Sequence, residues 1–189
     1  MFPPRPTELV HTLLRPHLHP GDTAVDATAG NGHDTLFLAK AVGNTGRVLA
    51  FDVQPQAIDA TRRALHHADV KTRVDLFLES HTGIAAHLPA NSAAAVIFNL
   101  GYLPGQDHDL TTEPGETLHA LTAAATVLKP RGILSVVCYP GHQTGAAEAR
   151  AVETHLTALA SQRWRIAKYA MLGTLKPAPF LLLATKNPA

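Results

Sequence analysis

Three groups of side chains in this 189-residue chain have the types and spacing that chemistry needs. The first is Asp26-Ala27-Thr28-Ala29-Gly30-Asn31-Gly32, where a short apolar run passes into a helical pattern. Glycines at a strand-to-helix turn let the backbone approach a ligand closely, because a Cβ at those points would collide with it. Thr35 stands where the third glycine of G-x-G-x-x-G would be, and no Gly-Lys-Ser/Thr follows, so a pyrophosphate site is disfavoured. A carboxylate at Asp26 suits a ligand carrying an ammonium group, reached directly or through water. Asp52, 20 residues after Gly32, can accept hydrogen bonds from both hydroxyls of a ribose. Together these features suit S-adenosyl-L-methionine.

The second group is Asn99-Leu100-Gly101-Tyr102-Leu103-Pro104-Gly105, at the end of an apolar run. Methyl transfer to an amine is an in-line displacement from a sulfonium that already carries its leaving group, so positioning supplies most of the catalysis. The amine must present a free lone pair, and the Asn99 Oδ1 and Leu100 carbonyl are acceptors that can orient its N–H bonds. Asn99 also reads as a strand-end turn residue. Gln106-Asp107-His108 and Thr111-Thr112 follow this loop. The third group is Tyr139-Pro140-Gly141-His142 with Glu148, after a later apolar run. All should meet above one sheet edge.

The elements that must position these groups are legible in the spacing. Apolar residues at Leu9, Val10, Leu13 and Leu14 predict a helix over Thr7–Leu18 with Thr7 as N-cap. TAVDA, GRVLAFD, VDLFL, AAAVIFNL and GILSVVCYP predict five strands. Helices at His33–Val42, from Pro55, at His81–His87, at Thr117–Leu128 and at Gly145–Ala160 alternate with or follow them. Strands that are continuous apolar runs argue for a parallel sheet buried on both faces. RWRIAKYAML and APFLLLATK, joined through 173–177, predict a hairpin-like ending. No repeat or linker divides residues 1–189, so one domain is expected, with 1–20 as a helical segment packed on it.

Composition narrows the classes. Hydrophobic residues make up 46% and charged residues 16%, enough for a sizeable core and too few charges for a disordered chain. No apolar run approaches the roughly 18 to 20 residues that cross a bilayer. The start MFPPRPTELV does not read as a cleaved signal, so a cytoplasmic protein is expected. Cys138 stands alone within ILSVVCYP and reads as a buried strand residue. Among twelve histidines only His17-x-His19 is closely spaced, with no carboxylate or Cys cluster beside it, so no metal is expected. A net charge of +1 makes any RNA contact local, with Arg5, Arg15, Tyr102, Tyr139 and Lys176 as candidates. Arg62, Arg63, Lys71 and Arg73 form the densest basic stretch, which reads as solvated surface.

The glycine turn and the two strand-end acids resemble those of class I S-adenosylmethionine-dependent methyltransferases over nearly the whole chain. The resemblance implies an α/β, Rossmann-like fold whose seven-stranded, mostly parallel sheet has its last strand inserted antiparallel. It also places Glu79-Ser80-His81 where the adenine ring is held, although Ser80 reads equally as a helix N-cap. Asn99-Leu100-Gly101-Tyr102 is similar to the Asn-Pro-Pro-Tyr element of amino-group methyltransferases. In those enzymes the Asn and the next carbonyl orient the target nitrogen and the aromatic ring stacks on the base.

A narrower resemblance lies in FNLGYLPGxDH, the downstream Thr-Thr, and YPGH with GxxE. These strings are similar to the tRNA 5-aminomethyl-2-thiouridine methyltransferases, small proteins once described as ribosomal RNA methylases. The family methylates the exocyclic amine of the modified wobble uridine. The resemblance implies that Asn31, Asp34, Asp52, Gln54, Ser80 and His81 line the cofactor pocket with Asp26, Thr28, Gly30 and Gly32. Asn99 and Tyr102 would be catalytic, and Leu100, Gly101, Leu103, His108, Tyr139 and His142 would meet the substrate. Asp34 has a second reading as a first-turn carboxylate favoured by the helix dipole, and His108 and His142 a second reading as solvated surface. The anticodon stem-loop is the implied partner, and a homodimer would widen the surface that grips it. A methyltransferase acting on another RNA, protein or small-molecule amine is one alternative. A nucleotide-binding Rossmann protein without methyl transfer is another.

Overall fold

The computed structural model describes residues 3–70, 72–101, 114–141 and 143–188. Strands β1 (Thr23–Asp26), β2 (Arg47–Asp52), β3 (Arg73–Leu78), β4 (Ala93–Asn99), β5 (Leu128–Cys138), β6 (Trp164–Ala170) and β7 (Phe180–Lys186) form one sheet. Its order is β3-β2-β1-β4-β5-β7-β6. The pairs from β3 to β5 are all parallel, and β7 runs antiparallel to both β5 and β6. The expected antiparallel insertion of the last strand is therefore present. Strand order reverses at β1, between β2 and β4, and open α/β sheets bind their ligands in the crevice outside the carboxyl ends of the strands at such a point.

Two-residue periodicity divides the strand side chains between two apolar layers. Val25, Leu49, Phe51, Val96 and Phe98 face one layer, with Ile84, Leu121, Ala124, Val152 and Leu156. Ala24, Val48, Ala95 and Ile97 face the other, with Val10, Leu14, Phe37, Leu38 and Val42. Helices α1 (Pro6–Leu14) and α2 (His33–Val42) thus cover one face, and α4 (Ile84–His87), α5 (Pro114–Val127) and α6 (Gln143–Ala158) the other. Helix α3 (Pro55–His67) connects β2 to β3. Ile97 and Phe98 are both fully buried, one in each layer. Each such burial stabilises by roughly 1.5–3 kcal/mol, which anchors the strand tip at Asn99.

Several helix ends differ from the sequence reading. Arg5, not Thr7, is the N-cap of α1, because Pro6 takes the first helical position and Glu8 accepts the Arg5 N–H at 3.3 Å. The same helix stops at Leu14 and tightens into a 3-10 turn at Arg15–His17, where Pro16 has no N–H to donate. The segment His81–His87 divides into a 3-10 turn, His81–Gly83, and the short α4. Strand β5 begins at Leu128, four residues before the expected Gly132, with Arg131 at φ +66 inside it. Cys138 is buried in β5 as expected, and burial pushes its thiol up to about 12. No helix of the described residues is long and apolar enough to cross a membrane.

Candidate active site

The glycine turn is held by the two acids that bracket it. Asp26 is fully buried at the end of β1; its Oδ1 accepts the Thr28 N–H at 3.1 Å and its Oδ2 the Thr35 hydroxyl at 2.6 Å. Asp52 accepts the Gly30 N–H at 2.9 Å through Oδ2 and the Gln54 N–H at 3.0 Å through Oδ1. Gly30 sits at φ +51, in the left-handed region that favours glycine, while Asn31 beside it is exposed. Gly32, also left-handed at φ +80, has a second cause: a Cβ there would lie 2.9 Å from Thr61 Cα, so its lack of a side chain lets α2 start against α3. The Thr28 hydroxyl accepts the Asn99 N–H at 2.7 Å and joins the turn to the tip of β4. Thr35, which fills the place of a third glycine, is thus the residue that steadies Asp26.

Burial holds the Asp26 carboxyl up to about 7, and the charges of Asp34 and Asp52 push the same way. A cationic group entering the crevice would offset all three effects. Asp34, in the first turn of α2, lies with its Oδ1 2.6 Å from His11 Nε2 on α1. The His11 ring stacks on Phe37 with centroids 4.0 Å apart and planes 8° from parallel. Asp34 therefore fastens α1 to α2 beside the crevice, a contact that no local pattern announces.

Along the rest of the edge, Ser80 caps the turn after β3 by accepting the Thr82 N–H at 3.3 Å. His81 is buried, with Nδ1 3.2 Å from the Ala27 carbonyl and its ring edge-on to Phe98. Burial holds His81 below its ordinary range, so Nδ1 donates to the carbonyl and Nε2 carries a bare lone pair. Gln54 Oε1, His81 Nε2 and Asn99 Oδ1 are all buried and, among the described residues, without a hydrogen-bond partner. Buried polar atoms are nearly always bonded, and these three follow or end β2, β3 and β4. Another such atom among the described residues, Ser135 Oγ, lies within β5. Acceptors grouped at one edge fit a ligand rich in N–H and O–H donors, such as the adenosine and amino group of S-adenosylmethionine.

On the acceptor side, the Leu100 side chain is buried in the core, leaving its main chain for any substrate contact. Gly101 lies under the Tyr139 ring: a Cβ there would come 2.9 Å from Cε2 and 3.0 Å from Cδ2. Tyr139 is half-buried and has its phenol pushed up by burial and by the charge of Asp34, with the neighbouring Asn99 side chain acting the other way. Gly101→Ala is expected to displace the ring and lower turnover at least about tenfold, read as kcat, with a loss of melting temperature from overpacking. Glu148, flagged by the GxxE string, is buried and accepts the Thr117 hydroxyl at 2.8 Å, tying α6 to α5. Tyr102, Leu103, His108 and His142 lie outside the described residues, as do 106, 107, 111 and 112. Among the described residues no group of three His, Cys, Asp or Glu is placed to hold a metal ion.

A 3-2-1-4-5-7-6 sheet with this acid-bracketed glycine turn at its switch point defines a class I S-adenosylmethionine-dependent methyltransferase. The family described as "Putative rRNA methylase" matches residues 48–185, and the chain belongs to it. It is 38% identical, over 96% of its length and 69% of the relative's, to the Arabidopsis thaliana "tRNA (mnm(5)s(2)U34)-methyltransferase, chloroplastic". A Clostridium thermocellum "putative rRNA-methylase" superposes with TM-score 0.93 and 34% identity, over 98% of this chain and 100% of that one. A Streptococcus mutans "putative methyltransferase", crystallised with SAH, superposes with TM-score 0.86 and 35% identity over 97% and 98%. The alternative of a nucleotide-binding protein without methyl transfer gives way to this membership.

Proposed function

We propose that the enzyme methylates the exocyclic amine of 5-aminomethyl-(2-thio)uridine at the tRNA wobble position, giving 5-methylaminomethyl-(2-thio)uridine. The observation that carries the reading is the Asn99 Oδ1 at the tip of β4, buried and without a partner among the described residues, on a residue whose backbone N–H is clamped to the glycine turn through Thr28. The likeness to the Arabidopsis wobble-uridine enzyme supports the substrate. When bound, S-adenosylmethionine supplies a methyl group on a sulfonium, which the amine takes in line as the carbon–sulfur bond breaks and S-adenosylhomocysteine leaves. Asn99 Oδ1 and the Leu100 carbonyl accept the N–H bonds of the amine and aim its lone pair. The product sheds a proton to water, so no strong base is required.

In this reading Asp26 receives the ammonium of the donor, with Asp34 adding negative charge beside it. Asp52 and Gln54 receive the ribose, and Ser80 and His81 face the adenine, while Gly30, Asn31 and Gly32 carry the backbone around it. Asp52→Ala removes the ribose acceptors and frees two backbone N–H groups. It is expected to weaken S-adenosylmethionine binding by about 1 to 3 kcal/mol, roughly 5- to 150-fold in Kd by calorimetry.

Residues 1–189 act as one methyltransferase domain in the cytoplasm, and the partner is the anticodon stem-loop. Arg5, Arg15 and Lys176 are exposed, and the link that carries Lys176 passes beside Gly141, with Pro177 O 3.3 Å from where its Cβ would stand. A second copy of the chain would widen this rim. Cells lacking the protein are expected to accumulate 5-aminomethyl-2-thiouridine, or its oxygen counterpart, and to lack the methylated nucleoside. An unchanged nucleoside profile would remove the wobble assignment.

A further inference from the structure

Strand β4 outruns β1. In the register of the two strands Asp26 stands beside Ile97, and β1 ends there while β4 continues to Asn99. The Ala27 N–H still reaches the Ile97 carbonyl at 2.8 Å, and in a regular parallel ladder the Ala27 carbonyl would then accept the Asn99 N–H. That carbonyl is turned to His81 Nδ1 at 3.2 Å, on the side chain that faces the adenine in the reading above. The Asn99 N–H goes to the Thr28 hydroxyl at 2.7 Å, so a side chain stands in for the main chain at the last rung.

The place of that hydroxyl is narrowly set. Threonine is stiff at χ1, and the Thr28 N–H donates to Asp26 Oδ1 at 3.1 Å while Asp26 Oδ2 accepts the Thr35 hydroxyl at 2.6 Å. On the other side of the strand tip, the Leu100 N–H donates to the Val137 carbonyl of β5 at 2.9 Å. The Asn99 main chain is thus pinned between β5 and a hydroxyl held by the carboxyl that receives the donor's ammonium. It carries Asn99 Oδ1, which is buried and without a partner among the described residues. Two hydrogen bonds, Thr28 to Asp26 and Asn99 to Thr28, separate the anchor of the methyl donor from the acceptor that aims the amine.

We propose that Thr28 is a positioning residue: its hydroxyl seats the Asn99 main chain against the glycine turn, and thereby sets the distance between the donor's methyl group and the amine that Asn99 orients. This rests on the amine-methylating reading above and deepens it, since the family resemblance gave Thr28 only a place in the cofactor pocket.

The test is a double-mutant cycle on the full chain with tRNA bearing 5-aminomethyl-2-thiouridine: wild type, Thr28→Val, Asn99→Ala and both together. Valine keeps the branched shape of threonine and replaces the hydroxyl by a methyl group. Thr28→Val is expected to slow single-turnover methylation at saturating donor at least about tenfold, with the Kd for S-adenosylmethionine within about twofold of wild type. Thr28→Ser, which keeps the hydroxyl, should restore the rate to within about threefold. In the Asn99→Ala background Thr28→Val should cost no further rate, because the amide it seats is gone. Melting temperature should divide differently: the main-chain N–H at position 99 survives in alanine, so loss of its acceptor should lower the melting temperature alike in both backgrounds. If valine prevents folding, Thr28→Ala removes the same hydroxyl and is read in the same way. An equal loss of rate in both backgrounds would make Thr28 structural and overturn the positioning, as would a Thr28→Val enzyme as fast as wild type. A weaker Kd with an unchanged rate at saturating donor would make Thr28 a donor contact and overturn it too. These three results leave the amine reading intact. An Asn99→Ala enzyme as fast as wild type would overturn the amine reading at Asn99, and the positioning with it.

Discussion

Asn99→Ala is expected to slow methyl transfer on the order of a hundredfold while the Kd for S-adenosylmethionine changes by less than about twofold. The asymmetry follows from what the side chain touches. Its backbone N–H is bonded to Thr28, and that bond survives the substitution, so the glycine turn keeps its shape. The amide oxygen has no partner among the described residues, so its removal strands none of them. What disappears is an acceptor that aims the amine, and a misplacement of about 1 Å at the reacting centre costs roughly 10²-fold. Single-turnover rates with saturating donor, set beside calorimetry, separate the two quantities. Equal losses in both would remove the division between a donor pocket and an acceptor tip.

Asp26→Asn is expected to make the protein without cofactor more stable and to impair its grip on the donor. The folded carboxyl is held up to about 7 against an ordinary value of 3.8, so between these values the folded state binds more protons than the unfolded state. Stability therefore falls as pH rises through this window, by on the order of 2 to 4 kcal/mol by pH 8. Asparagine keeps an oxygen for the Thr28 N–H and offers Nδ2–H to the Thr35 hydroxyl, while removing the buried charge. Its melting temperature at pH 8 should rise by roughly 5–10 °C, and the gain should shrink towards pH 4. In the parent chain the arriving ammonium expels the Asp26 proton, so donor affinity should strengthen from pH 6 to pH 8, by up to about tenfold per pH unit below 7. Asp26→Asn should lose both the affinity and its pH dependence. Melting curves and calorimetry at pH 5, 6, 7 and 8 read all of these effects.

The succession of strands and helices and the acids at strand ends were legible because they depend on local periodicity and on residues that close an apolar run, whereas the antiparallel last strand entered only through the family resemblance. Asp26 and Asp52 fall where TAVD and RVLAFD end, and both strands are in place. What Asp52 does there was not legible: both oxygens are engaged by backbone N–H groups of the turn and of Gln54, which depends on how β1 and β2 lie together. Gly32 reads in sequence as an opening for a ligand, yet the atom nearest its missing Cβ belongs to α3, 29 positions along the chain at Thr61. The seat of Tyr139 on Gly101 and the pairing of His11 with Asp34 likewise join residues far apart in sequence. Long-range contacts of this kind leave no period. In the basic stretch, Arg62 pairs with Asp59 and Arg73 with Asp75, in keeping with its reading as solvated surface.

The most direct measurement is transfer of label from methyl-labelled S-adenosylmethionine to purified tRNA bearing 5-aminomethyl-2-thiouridine, followed by nucleoside digestion and mass spectrometry. Label is expected in 5-methylaminomethyl-2-thiouridine and none in the same tRNA carrying an unmodified wobble uridine. Label confined to another nucleoside, or equal labelling of both tRNAs, would contradict it.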